Sequence, residues 1–428
     1  MAVGYGRIVI IGSKEVRDFK ILFYDYSGNF PVGIERFVDM YLGKYLMNYG
    51  IELEPVTINL ASNGALNLVL KMMEDDPNER KVILDFSNTP AIKIYVRKLF
   101  NETHIPTYVC SLAGDLRIYN MKPMERETAL LLRKEHGGFP EIYSRAVKAR
   151  MKALSDEHLY LLASGLVSGE ITMDIQDEEN ELHLSTYMLG YPFKELGRLK
   201  RHFGALKKVA IVGCGALGTF YAIQLALLQN MRMLRLKEVV FVDPDEIELV
   251  NFNRQVLFWG DTIGEPKAQV MAERFQRMVY DPVIVRHYNT TFEEIQKELT
   301  DVDLIIEGVD RWEVRKRITN FAIEHKIPLI TAGVEVIRGH ETVYFPNKTY
   351  CPYHSINLAE KKDPENPTGC LQIDPSVIFS NMTVASLAIL NSLMLEEPLN
   401  GVMYYSLKGE YEIYDRFKVD RFSGSCGD

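Results

Sequence analysis

The segment VAIVGCGALG, residues 209–218, constrains this chain more than any other: apolar residues run straight into Gly213, Gly215 and Gly218, and an apolar stretch, TFYAIQLALLQ, follows at once. A run that is apolar at every position belongs to a strand covered on both faces. Glycines directly behind such a strand permit a tight turn and close backbone approach, and the first amides of the helix that follows can face a phosphate. This outlines a nucleotide pocket, although the glycines do not choose the nucleotide and could serve helix–sheet packing alone. Asp243 closes the next apolar run, EVVFVD, 25 residues after Gly218. There a carboxylate is well placed to accept hydrogen bonds from ribose hydroxyls.

The same rhythm continues through VIVRHYN, DLIIEGVD and PLITAGV, each strand-like run separated from the next by a helix-like one. Such alternation is the signature of a doubly wound, mainly parallel, Rossmann-like α/β sheet, expected over about 205–400. RIVIIG, ELEPVTINL, KVILDFSN and PTYVCSL give the first half a similar rhythm, and residues 83–111 lie gaplessly over residues 305–333 at an offset of 222. Duplication and convergence of two strand–helix–strand units both account for the match; duplication is the preferred reading. Between the halves, charged segments with Leu and Ala at helical spacing predict a helical connector. The expected division is an α/β domain over 1–120, a connector over 121–203, and a second α/β domain over 204–428.

Composition narrows the function classes. The chain has 428 residues, 47% hydrophobic, with 49 Lys and Arg against 58 Asp and Glu, a net charge of −9. No basic stripe offers a footprint for nucleic acid or an anionic membrane. No run reaches the roughly 18 apolar residues of a membrane span, and the N-terminal residues do not read as a secretion leader. Five cysteines form an odd, sparse set that favours a reducing compartment, so the cytoplasm is the expected location. Cys214, inside the glycine loop, reads as a small packing residue.

Beyond Asp243 the pattern departs from a dinucleotide dehydrogenase. PDEIELVNFNRQVLFWGDTIGEPKA places Asn251, Asn253, Arg254, Gln255 and Lys267 close behind it. Two cations and several amides suit a triphosphate better than a nicotinamide. The string DPDEIELVNFNRQVLF followed by Gly264-x-x-Lys267 resembles the E1-like adenylating superfamily, which includes ThiF, MoeB and the ubiquitin-activating enzymes; the resemblance covers roughly residues 206–395. It implies that Asn251, Arg254, Gln255 and Lys267 hold the phosphates of ATP, and that Asp310, in an Asp-x-x-x-x-Arg motif ending at Arg315, binds Mg²⁺. Read from its own position, Asp310 stands just past the carboxyl end of an apolar strand, where open α/β sheets place ligands and a carboxylate can hold Mg²⁺. It equally fits the N-cap of the helix beginning RWEVRKRI. Trp312 is assigned nothing beyond the rim.

The resemblance further implies adenylation of a carboxylate, in this superfamily usually the C-terminus of a small partner protein, and in many members transfer to a cysteine. Cys370, in NPTGCLQID, falls where that nucleophile belongs; an incidental loop cysteine or a zinc ligand is the alternative. Cys351-Pro-Tyr-His354 and Cys426 stand where relatives place a four-cysteine zinc site, one ligand short of a closed tetrahedron, so a structural Zn²⁺ and a lost site both remain open. An arginine that in relatives reaches the neighbouring subunit's ATP has no match here: either Arg198 or Arg201 substitutes, or the arginine comes from elsewhere. The first half lacks the glycine loop and the cations, and has Asn88 where Asp310 would fall, so it reads as a degenerate adenylation-like domain. The expected partners are a ubiquitin-like or sulfur-carrier-like protein ending in Gly and an E2-like conjugating enzyme. The alternative is adenylation of a peptide or small carboxylate without a thioester. A non-catalytic module or a nicotinamide oxidoreductase is disfavoured by Arg254, Lys267 and Asp310 together.

Overall fold

The computed structural model describes residues 6–12, 53–59, 80–85, 107–111, 117–121, 162, 165–166, 187–188, 206–230, 232–251, 254–258, 262–335, 338–363, 376, 378–393, 397–406 and 417–426. The chain divides into two compact units, Met1–Glu195 and Leu196–Asp428. Most of the expected connector over 121–203 lies outside the described residues.

In the first unit, β1 (Gly6–Gly12), β2 (Leu53–Asn59), β3 (Arg80–Asp85), β4 (Thr107–Ser111), β5 (Arg117–Met121) and β6 (Tyr187–Met188) form one sheet in the order β2-β1-β3-β4-β5-β6. The first four are parallel, and β5 and β6 add antiparallel.

The second unit holds an eight-stranded sheet. Its strands are β7 (Lys208–Val212), β8 (Glu238–Val242), β9 (Ile284–Tyr288), β10 (Leu304–Glu307), β11 (Leu329–Val334), β12 (Arg338–Tyr344), β13 (Gly401–Ser406) and β14 (Phe417–Arg421). The order is β14-β13-β12-β11-β10-β7-β8-β9, parallel from β9 to β11 and antiparallel beyond. This is the doubly wound, mainly parallel sheet expected from the sequence. The first sheet repeats the series β8-β7-β10-β11-β12-β13 strand for strand and sense for sense. The offset of 222 carries β3 onto β10, β4 onto β11 and β5 onto β12, so it runs through three consecutive strands.

Helices cover both faces of the second sheet. On one side lie α1 (Ala216–Asn230), α2 (Lys267–Met278) and α6 (Ile378–Leu393); on the other, α3 (Phe292–Ile295) and α4 (Trp312–Glu324), with the short α5 (Pro352–Ser355) beside β12. Alternation along the strands divides the core. Phe241 of β8 meets Phe275 of α2 edge-on at 5.6 Å, while Val240 and Val242 face a cluster containing Ile305, Ile318 and the edge-on pair Phe292–Phe321 at 5.4 Å. Each such side chain contributes roughly 1.5–3 kcal/mol by leaving water. The sheet's carboxyl ends are thereby held rigid.

One polar group interrupts this core. Glu341 of β12 is 1% exposed against α6, where Asn391 donates Nδ2–H to its Oε1 at 2.7 Å. Burial pushes its carboxyl up to about 8, against the pull of the Asn391 hydrogen bond.

Candidate active site

The three glycines of the loop after β7 stand in different surroundings. Gly213 has φ +95°, and a Cβ there would lie 2.7 Å from the carbonyl carbon of Gly308. A Cβ on Gly218 would meet the Gly213 carbonyl oxygen at 2.2 Å. Gly215 is open: the nearest atom to a Cβ would be Gln255 Nε2 at 3.9 Å. Two glycines are therefore required by packing, and the third leaves a cradle. Gly308, which sequence reasoning did not single out, brings the loop after β10 onto the glycine loop.

Asp243, 5% exposed, is fixed through both oxygens. The Cys214 amide donates to Oδ2 at 2.6 Å and the Asp245 amide to Oδ1 at 2.9 Å. Burial raises its carboxyl to about 6, opposed by the nearby Lys267 ammonium and by these two N–H donors. Cys214 is fully buried, its thiol pushed far up by burial and by Asp243, which fits the expected packing role and leaves no reactive thiolate.

Asn251 ties together the described residues on either side of it. The Glu248 amide donates to Asn251 Oδ1 at 2.9 Å, and the Asn251 carbonyl accepts from the amides of Arg254 and Gln255. These bonds bring the buried Arg254 and Gln255 together, and the side-chain Oε1 of Gln255 has no hydrogen-bond partner among the described residues. Lys267 opens α2 and pairs its Nζ with Asp245 Oδ2 at 2.9 Å. An orphaned buried amide oxygen beside an open glycine cradle, with the Lys267 ammonium near Asp243, fits a nucleotide and its phosphates.

Asp310 lies between β10 and α4 with its side chain exposed; no hydrogen bond or ion pair to it is found among the described residues. The alternative of an N-cap is not what the structure has. The cap position is Arg311, and the capping carboxylate is Asp363, which accepts from the Trp312 amide at 2.6 Å and, more weakly, from the Glu313 amide at 3.4 Å. The Asp310 carboxylate is thus left available for oxygen-ligand chemistry with a cation. Arg315, 3% exposed, is committed to protein groups: Glu307 at 3.0 Å, Thr331 Oγ1 at 2.6 Å, and the carbonyls of Val309 and Ala332 at 2.8 and 3.0 Å. It braces the turn that carries Asp310.

Cys351, His354 and Cys426 do come together. Each sulfur stands 3.3–3.4 Å from His354 Nδ1, and the three ligand atoms lie within 4.8 Å of one another. Tetrahedral Zn²⁺ with bonds of roughly 2.3 Å to sulfur and 2.0–2.1 Å to nitrogen would separate S and N by about 3.6 Å, so these three residues fit the ion. Cys370, Asn253, Asn88, Arg198 and Arg201 lie outside the described residues.

The fold and the loop geometry define a Rossmann-like nucleotide-binding unit of the doubly wound class. The ThiF family model matches residues 196–426, and the chain belongs to that family. It is 32% identical over 180 residues to the NEDD8-activating enzyme E1 catalytic subunit of Saccharomyces cerevisiae, covering 40% of this chain and 58% of that protein. It is 31% identical over 146 residues to ubiquitin-like modifier-activating enzyme 6 of Homo sapiens, covering 33% of this chain and 14% of that one. The matches thus span little more than half, or less, of these relatives. A crystal structure of E. coli MccB with MccA-N7isoASN aligns with 51% of this chain and 66% of its own at 19% identity, with a TM-score of 0.41.

Proposed function

We propose that the chain is an E1-like activating enzyme that uses Mg·ATP to adenylate the C-terminal carboxylate of a ubiquitin-like or sulfur-carrier-like protein and then takes the acyl group onto Cys370. The observation that carries the reading is the exposed Asp310 carboxylate, which caps no helix and has no hydrogen bond or ion pair among the described residues, on the loop that Gly308 brings onto the glycine loop. Asp243 receives the ribose hydroxyls, the Gly215 cradle and the Gln255 amide border the phosphates, and Arg254 and Lys267 neutralise them. Asp310 would hold Mg²⁺, which would supply further charge neutralisation. Lys267 exchanges its Asp245 partner for phosphate oxygen. The substrate carboxylate oxygen attacks the α-phosphorus, the bond to the bridging α–β oxygen breaks, and pyrophosphate leaves. These groups position the reactants and offset charge, which is most of what phosphoryl-type transfer asks of a protein.

In the second step the Cys370 thiolate attacks the acyl carbon and AMP departs. Cys370 is seven residues beyond Asp363, so its tether to the start of α4 is at most roughly 25 Å. Release to an E2-like enzyme would follow. The family membership and the similarity to NEDD8- and ubiquitin-like-activating enzymes support this kind of reaction. The order β2-β1-β3-β4, repeated as β8-β7-β10-β11 in the second sheet, supports residues 1–120 as a degenerate adenylation-like half. Cys351, His354 and Cys426 would hold a structural Zn²⁺. The unpaired thiols of Cys214, Cys351 and Cys426 support a reducing, cytoplasmic setting, and no helix among the described residues is long and apolar enough to cross a membrane.

Pyrophosphate exchange with the partner protein tests the first step: Asp310→Ala should abolish exchange and leave the fold intact. Intact-protein mass spectrometry tests the second. Cys370→Ala should still form the adenylate but no thiol-labile adduct. Turnover by the wild type without any covalent intermediate would replace this reading with adenylation of a peptide or small carboxylate.

A further inference from the structure

Asp363 is the last described residue before the segment that contains Cys370, and no motif singles it out. Its carboxylate nevertheless makes three contacts at one place: the Trp312 amide at 2.6 Å, the Glu313 amide at 3.4 Å, and Arg311 Nε at 3.7 Å. These are the three residues that follow Asp310. Lys361, two residues before, lays its ammonium 5.5 Å from the centroid of the Trp312 ring, which also carries the Arg315 guanidinium at 5.1 Å. The strap 361–363 therefore clasps the first turn of α4, while Arg315 holds the Val309 carbonyl on the other side of Asp310. Asp310 sits between two clamps, one from each side along the chain.

We infer that Asp363 is a positioning residue for Asp310: by capping α4 from 50 residues away it fixes where the Asp310 carboxylate presents its oxygens to the Mg²⁺ of bound ATP. A carboxylate is suited to the task because it accepts two helix amides at once and its charge complements the N-terminal end of the helix dipole. The local sequence supplies no substitute, since Arg311 occupies the cap position and has no side-chain acceptor. Removing the clasp would let the turn relax without touching the glycine loop, Arg254 or Lys267. The inference rests on the proposed role of Asp310.

Calorimetry on the full chain with a non-hydrolysable ATP analogue tests it, measured once with Mg²⁺ and once with EDTA. The wild type should bind more tightly with the metal. Asp310→Ala should lose that gain altogether. Asp363→Ala should lose about tenfold of it while keeping the metal-free affinity, and Asp363→Asn, whose amide oxygen still accepts one N–H, should retain most of it. Thermal melting of each variant serves as the folding control. Loss of thermal stability in Asp363→Ala with an unchanged metal-dependent gain would overturn the inference and leave Asp363 as a helix cap alone. An equal loss of metal-free and metal-dependent affinity would overturn it too, by pointing to general disruption. A wild type with no metal-dependent gain would instead sink the proposed role of Asp310 itself.

Discussion

Replacing Glu341 by glutamine should stabilise the C-terminal unit in neutral and alkaline solution and change little in acid. Glu341 is buried between β12 and α6, and burial raises its carboxyl from the ordinary 4.5 to about 8. The folded state therefore holds a proton that the unfolded chain releases above pH 4.5. The contribution of this group to stability is complete below about pH 4.5, declines as the pH rises, and is gone by about pH 8. Each pH unit in that window costs about 1.4 kcal/mol, so the loss at pH 7 is about 3 kcal/mol. Glutamine is close to isosteric, keeps an acceptor for Asn391 Nδ2, and carries no charge. Both tryptophans of the chain, Trp259 and Trp312, belong to the second unit, so urea unfolding followed by tryptophan fluorescence reports that unit alone. The difference in stability between Glu341→Gln and wild type should widen by about 1 kcal/mol or slightly more per unit from pH 5 to 8 and then level off. Asp243 also titrates within this range, but it is common to both proteins and cancels. A difference independent of pH would refute the reasoning, since it would mean that Glu341 is ionised in the folded state or titrates normally there.

Two further outcomes concern the framework of the site. Arg315→Met should destabilise the unit by about 3–5 kcal/mol, because it strands the buried Glu307 carboxylate, and the double variant Arg315→Met/Glu307→Gln should recover a large part of that loss in the same urea experiment. Chain purified without chelators should carry about one zinc per molecule by atomic absorption; His354→Ala or prolonged chelation should remove it and lower the melting temperature, whereas metal-free wild type with an unchanged melting temperature would make the Cys351–His354–Cys426 group a packing cluster.

What could be read in the sequence follows from which physical constraint each residue obeys. Strands β7, β8, β10 and β11 announce themselves because they are covered on both faces and so carry unbroken apolar runs such as Val209–Val212, Val239–Val242 and Leu304–Ile306. The antiparallel extension from β12 to β14 does not: RGHETVY places a buried Glu341 and a buried Thr342 in the strand, and polar residues at buried positions hide the pattern. Gly213 and Gly218 are legible because a left-handed turn and a close backbone contact admit little else. Gly308 is not, since its reason is the surface of Gly213, nearly a hundred residues earlier. The same limit applies at α4. Local sequence offered Asp310 both as a cap and as a ligand, and only the arrival of Asp363 from a distant segment decides against the cap. The His354 ring between two sulfurs was legible as ligand types at suggestive spacing, but the distance between Cys351 and Cys426 was not.

The proposed Mg·ATP site, one per chain, draws on Asp243, Arg254, Lys267 and Asp310 of the second unit. Titrating the intact chain with Mg·ATP in a calorimeter measures this directly. The predicted result is a stoichiometry of one, saturable binding lost in Lys267→Ala and weakened to the metal-free affinity in Asp310→Ala, and no heat with NAD. Two equivalent sites would contradict the degenerate reading of residues 1–120, and binding of NAD with no response to Mg·ATP would contradict the account as a whole.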